Sequence, residues 1–172
     1  MTNAELHRTV GRLRAGELSA FDELYRELSK PLYTTLLRLT RDRSMAEDIL
    51  QDAFVRLYES PPGDEVKNPA AWIFRVARNL AIDQIRREAR QQPISSVVEP
   101  NAPAADYAGR MDIEEAMALL PVERLEVVTL HLNAGFTFRE IAGLTGRPLG
   151  TVQWQYHRAL GTLRGYLAQD DE

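Results

Sequence analysis

Five arginines fall between Arg75 and Arg90 (75, 78, 86, 87 and 90), opposed there only by Asp83 and Glu88, in a chain whose formal net charge is −4. A guanidinium is a fixed positive charge with a fork of donors that suits phosphate oxygens, and Asn79 adds a donor and an acceptor of the kind that can read a base edge. Positive charge concentrated in an acidic chain makes a polyanion the natural partner of this stretch. The same residues would also serve as a solvated, salt-bridged helix surface. A second group is acidic: Asp48, Gln51 and Asp52 share one helix face at steps of three and four. Two nearby carboxylates could form a general acid–base pair or bind a metal. No His, Asn or further acid at fixed spacing completes either arrangement, so a docking face for a basic partner fits better, with a plain solvated surface as the alternative. Near the C-terminus, Thr151, Gln153, Trp154, His157 and Arg158 stand on the outer face of one helix, where they can donate to phosphates or reach into a groove.

The elements that must position these groups read as helices throughout. Asn68 followed by Pro69 predicts a helix start, with an N-cap oxygen and then a residue whose missing N–H costs nothing. Ile73, Val76, Ala77, Leu80 and Ile85 give that helix its apolar stripe, and the arginines and Asn79 lie off it. Upstream, Leu6, Val10 and Leu13 predict a first helix closed by Gly16. Ser19 to Asp22 predicts the next cap, and Pro31 either kinks one long helix or divides two. Ser44-Met45-Ala46-Glu47 has the S-x-x-E form of a capping box before a helix reaching Tyr58. Residues 60–67 are a loop by composition, and Trp72, just beyond, either packs that loop onto the core or offers a stacking platform.

From Gln91 to Arg110 the prolines, serines and alanines lose all periodicity, which predicts an extended, flexible linker between two helical domains. The second domain reads as four short helices: Met111 to Leu119, one opened by Pro121, one capped by Thr137 with Glu140, and a last one after the Gly146-Arg147-Pro148 turn. A short helix, a glycine turn and a longer helix form a helix-turn-helix, a shape that serves DNA binding but also occurs as a packing unit. The predicted fold is therefore all-α, two helical domains joined by a flexible linker, the C-terminal one containing a helix-turn-helix.

Composition narrows the rest. Cysteine is absent, so disulfides and thiolate metal sites are excluded and a reducing cytoplasm is the default; no stretch is long and apolar enough for a membrane span. Lys and Arg number 15 against 14 Asp and Glu in residues 1–92, but 5 against 9 in residues 112–172. A C-terminal domain so poor in positive charge would need help to stay on DNA.

Three tracts, in this order and with the Pro-rich stretch between the second and third, resemble one family: Ala46-Glu47-Asp48-Ile49-Leu50-Gln51-Asp52-Ala53-Phe54, Trp72-Ile73-Phe74-Arg75-Val76-Ala77-Arg78-Asn79-Leu80-Ala81-Ile82-Asp83, and Phe138-Arg139-Glu140-Ile141-Ala142 with Gly150-Thr151-Val152 and His157-Arg158-Ala159. They are similar to the extracytoplasmic-function (ECF) sigma factors, compact bacterial initiation factors that keep only conserved regions 2 and 4. The resemblance implies a region 2 domain at residues 1–91, a linker at 92–110 and a region 4 domain at 111–172. It implies docking on the β′ clamp helices of the RNA polymerase core through Asp48, Gln51 and Asp52, with the β flap as a further contact. It implies that Asn79, Arg75, Arg78, Asp83, Arg86 and Arg87 engage the −10 element, a flipped base entering a pocket between the 60–70 loop and Asn79. At the −35 element it places Trp154, His157 and Arg158 near bases and Arg139, Gly150 and Thr151 near phosphate. Gln153 and Gln155 stand where relatives carry Arg or Lys, and Trp154 replaces a small polar residue. Promoter DNA, core polymerase and an anti-sigma factor are the implied partners; no cofactor, metal or catalytic residue is implied. Tethering to polymerase would offset the weak charge of the C-terminal domain. A stand-alone helix-turn-helix regulator and a sigma-shaped protein-interaction module are the competing readings.

Overall fold

The computed structural model describes residues 1–91 and 113–168. Every regular element among the described residues is a helix: α1 (Asn3–Arg14), α2 (Leu18–Thr40), α3 (Arg43–Glu59), α4 (Pro69–Gln91), α5 (Ile113–Ala118), α6 (Val122–Leu132), α7 (Phe138–Thr145) and α8 (Leu149–Ala168). The predicted linker lies outside the described residues except for Gln91, the last residue of α4. No described helix is long and apolar enough to cross a membrane.

Local chemistry sets most boundaries. Thr2 and Glu5 form a reciprocal capping box at α1, and Thr137 and Glu140 form another at α7. Asn68 caps α4, its Oδ1 accepting from the Ala71 N–H at 3.0 Å. Gly146 ends α7 at φ 72°, a left-handed turn that an L side chain resists. Three expectations shift. The N-cap of α3 is Asp42, whose side chain accepts from Met45 N, so Ser44 lies inside the helix and the S-x-x-E pattern is not a capping box. α2 begins at Leu18 after Glu17, and Ser19 donates to the Glu17 carboxylate instead of capping. Pro121 is the N-cap of α6 and not its first residue as predicted, so the helix starts one residue later, at Val122. α2 runs unbroken through Pro31, so the proline does not divide it.

In the N-terminal lobe α2 is central. Leu24, Leu28, Leu32 and Leu36 share one core with Leu6, Val10 and Leu13 of α1, with Ala46, Ile49, Ala53, Phe54 and Leu57 of α3 and with Ile73, Phe74, Ala77 and Ala81 of α4. Ala46, Ala53, Ala77 and Ala81 are fully buried and let the axes of α3 and α4 approach closely. Ile85, expected on the α4 stripe, is 36% exposed.

The C-terminal lobe is built around α6. Six consecutive residues, Leu125 to Leu130, are buried, as befits a helix covered on every side. One face, Leu125 and Val128, packs with Ala116, Met117, Ala159 and Leu163 in a core of its own. The other, Val127 and Leu130, joins Phe136, Ile141, Leu144 and Val152 in a core continuous with the N-terminal lobe. The two helical domains are thus packed on each other through α2 with α6 and α4 with α7, which the sequence does not announce. Phe74 and Phe136 meet edge to face across the junction, ring centroids 4.9 Å apart.

Candidate nucleic-acid interface

Helical phase divides the α4 candidates into three rows. Arg75, Asn79 and Arg86 form the ridge opposite the core, and all three are exposed. Arg78 stands on the flank facing the C-terminal lobe, while Asp83 and Arg87 stand on the flank facing α3. The Asn79 amide is free to meet an outside partner, about 15 Å along the axis from the start of α4. The loop before α4 is pinned by α1, because Asn3 Nδ2 donates to the Lys67 carbonyl at 2.9 Å, His7 Nε2 contacts that carbonyl at 3.0 Å, and Arg14 pairs with Asp64. Trp72 is half-buried against the N-terminal core.

Two of the arginines are already engaged. Arg75 Nη2 donates to the Gly143 carbonyl of α7 at 3.1 Å. Arg78 pairs through its fork with Glu126 of α6, and Arg147 Nη2 reaches the same carboxylate at 2.7 Å. The Glu126 side chain is only 3% exposed, with Arg78 at 16% and Arg147 at 20%, so one buried carboxylate carries two guanidiniums. Further bridges cross the junction, and Arg41 Nη2 supplies one by donating to the Ala118 carbonyl at 3.2 Å. Arg38 binds both Glu114 oxygens at 2.7 and 2.9 Å and donates to Asn133 Oδ1 at 2.7 Å, and Asn68 Nδ2 donates to Glu140 Oε1 at 2.7 Å. Partial burial would push the Glu140 carboxyl up, but hydrogen bonds from the Thr137 backbone and hydroxyl and from Asn68 outweigh it, and Glu140 is held below its ordinary value.

The acidic face of α3 is open. Asp48, Gln51 and Asp52 are exposed, and Asp48 and Asp52 line a cleft of about 370 Å³ with Asp83 and Arg87 of α4. The candidates for core docking and for the −10 strand therefore meet along one groove.

On the C-terminal lobe, Arg139, Gly150, Thr151, Gln153, Trp154, His157 and Arg158 are all exposed, on α7 and the first turns of α8. No protein atom outside the local backbone lies within 4 Å of where a Gly150 Cβ would sit. Gln155 points inward, its Oε1 3.4 Å from Arg147 Nη1. Trp154 is 54% exposed. Val152, Ala159 and Leu163 hold the opposite face of α8 in the core.

With this geometry in place, comparison with known proteins is decisive. The chain matches the Sigma-70 region 2 family over residues 24–91 and the Sigma-70, region 4 family over residues 110–163. It is 34% identical over 165 residues to the ECF RNA polymerase sigma factor SigL of Mycobacterium tuberculosis, covering 90% of this chain and 93% of that one. The chain belongs to the ECF RNA polymerase sigma factors. A second relative, SigE of Mycolicibacterium smegmatis, is 30% identical over 88% of this chain and 63% of its own. The fold resembles the sigma factor RpoE of Bartonella quintana, solved with the anti-sigma factor NepR (23% identity, TM-score 0.70, 88% of this chain and 98% of that one). It also resembles CnrH, solved with the cytosolic domain of CnrY (20% identity, TM-score 0.66, 96% and 98%). Sigma factors bind core polymerase and promoter DNA and are initiation factors, not enzymes.

In this sigma factor, sequence reasoning missed the residues that join the lobes: Arg38, Arg41, Asn68 and Glu140 as a bridge, and Glu126, whose second counter-ion is Arg147 of its own lobe. Glu126 alone left a trace, a carboxylate inside the apolar run Leu125-Glu126-Val127-Val128. Such an acid is tolerated only when paired, but the run does not say with what.

Proposed function

We propose that residues 1–91 dock on core polymerase through Asp48, Gln51 and Asp52 and engage the −10 strand through the α4 residues, while the C-terminal domain, residues 111–172, reads the −35 duplex with α7 and α8. The packed arrangement is then the resting form, and the lobes part on the promoter. The observation that carries this reading is the split along α4. Asn79, Arg86 and Arg87 face solvent, but Arg75 and Arg78 are held by the C-terminal lobe and reach a strand only once it leaves.

Dimensions point the same way. The two promoter elements lie about 25 base pairs apart, about 85 Å of duplex at roughly 3.4 Å per step. A compact body of this size has a radius of gyration of about 16 Å and cannot touch both. An anti-sigma protein is proposed as a further partner, by analogy with the sigma factor RpoE solved with the anti-sigma factor NepR. The factor acts in the cytoplasm, where polymerase works, and performs no covalent chemistry of its own.

The test uses the absence of cysteine. Arg38→Cys with Asn133→Cys, one on each side of the junction, can be bridged by a reducible bis-maleimide. The bridged factor is expected to give no promoter opening by permanganate footprinting, and reduction is expected to restore it. Full opening by the bridged factor would contradict the separation of the lobes.

A further inference from the structure

Trp154 is an unusual residue to leave on the surface of a reading helix. An indole more than half in water contributes little to folding, and its ring is not packed into either core. It is held by cations instead. The Arg158 guanidinium, one turn further along α8, lies over the ring at 5.7 Å from the centroid, an ordinary i,i+4 neighbour. The Arg124 guanidinium lies at 5.5 Å and comes from α6, outside the helix-turn-helix. Arg124 is half-buried and forms no ion pair among the described residues, and the Glu126 carboxylate on the same helix points to another face, where Arg78 and Arg147 hold it. Its charge is directed at the aromatic face.

α8 is otherwise short of positive charge where it would meet a duplex, since Gln153 is neutral and Gln155 turns inward to Arg147. Trp154 supplies a broad apolar surface suited to a thymine methyl, but such a contact discriminates only if the ring is held in one orientation. We infer that Arg124 is a specificity-determining positioning residue for the upstream promoter element, fixing the Trp154 ring from α6 and adding to Arg158 a second cation at that edge of the reading face. This rests on the reading of α8 as the duplex-facing helix.

The experiment uses holoenzyme reconstituted with the full chain and a promoter library randomised across the −35 element, with transcripts sequenced to give a preference profile. Trp154→Ala is expected to flatten the profile at a small set of positions. Arg124→Ala is expected to flatten it at the same positions by about two- to five-fold, the size of an exposed cation–π contact. Arg124→Lys, which keeps a cation, should recover most of the loss, and Arg124→Ala with Trp154→Ala should be no flatter than Trp154→Ala alone. Melting temperature and core affinity should not move, which separates positioning from a general structural role. An Arg124→Ala profile like that of the wild type, or one weakened equally at every position, overturns the inference while Trp154→Ala still flattens. A neutral Trp154→Ala would remove the reading of α8 itself, and this inference with it.

Discussion

The two halves of α4 carry the same residue type to opposite ends. Arg75 and Arg78, in the first half, are bound to the C-terminal lobe, Arg78 through a carboxylate almost wholly out of water. Arg86 and Arg87, in the second half, are exposed and form no ion pair among the described residues. What differs is what packs beside them. α7 and α6 lie against the first half, and the side of α3 that borders the second half is acidic and open. An arginine in a basic tract is thus a phosphate ligand or a structural counter-ion according to its neighbours, and on this helix the first pair can exchange one role for the other when the lobes part.

The largest expected effect is at the buried end of that contrast. Glu126→Ala strands two guanidiniums in a largely dry junction and should lower stability by about 3–5 kcal/mol, read by denaturant unfolding. Arg75→Ala, which loses a single bond from an exposed side chain to a carbonyl, should cost about 1 kcal/mol or less. Equal losses from the two would erase the distinction between the junction's buried charge cluster and its rim. At the exposed end, Arg86→Ala should leave unfolding within about 0.5 kcal/mol of the wild type but weaken promoter complexes of the holoenzyme. The salt slope of that binding should fall by about 1, the signature of one lost phosphate contact. An unchanged slope would place Arg86 off the DNA.

The smallest effect is pH-linked. Glu140 joins the cap of α7 to the cap of α4 and is held below its ordinary value, so it favours the folded, packed form while charged. That contribution is complete above the ordinary carboxylate value and is lost as pH falls through the lowered one. Glu140→Gln keeps hydrogen-bonding groups at the cap without the titration. It should flatten the stability profile between neutral pH and the carboxylate range by about the worth of a cap, 1 kcal/mol or less. Identical pH profiles for the two proteins would remove Glu140 from the linkage.

How much of this was legible in the sequence follows from how far apart the interacting residues are. Asn68-Pro69 and the Thr137–Glu140 box were readable because a cap is decided within four residues. Ser44 misled for the same reason, since S-x-x-E is present but Asp42, two residues earlier, already supplies the oxygen. The exposed candidates, Asn79, Trp154 and the acidic face of α3, were legible as off-stripe positions on amphipathic helices. The junction was not. Arg78 and Glu126 are 48 residues apart, and Arg38 and Asn133 are 95 apart. Periodicity shows the apolar positions of α6, but not that one of its faces belongs to the other lobe.

The central claim, that the factor rests closed and works open, is tested most directly by distance. With one fluorophore on the outer end of each lobe, single-molecule energy transfer should report a separation of about 40 Å or less in the free factor, consistent with one compact body. In the open promoter complex it should approach the roughly 85 Å between the two elements. A transcribing complex in which the lobes keep their resting separation would contradict the account.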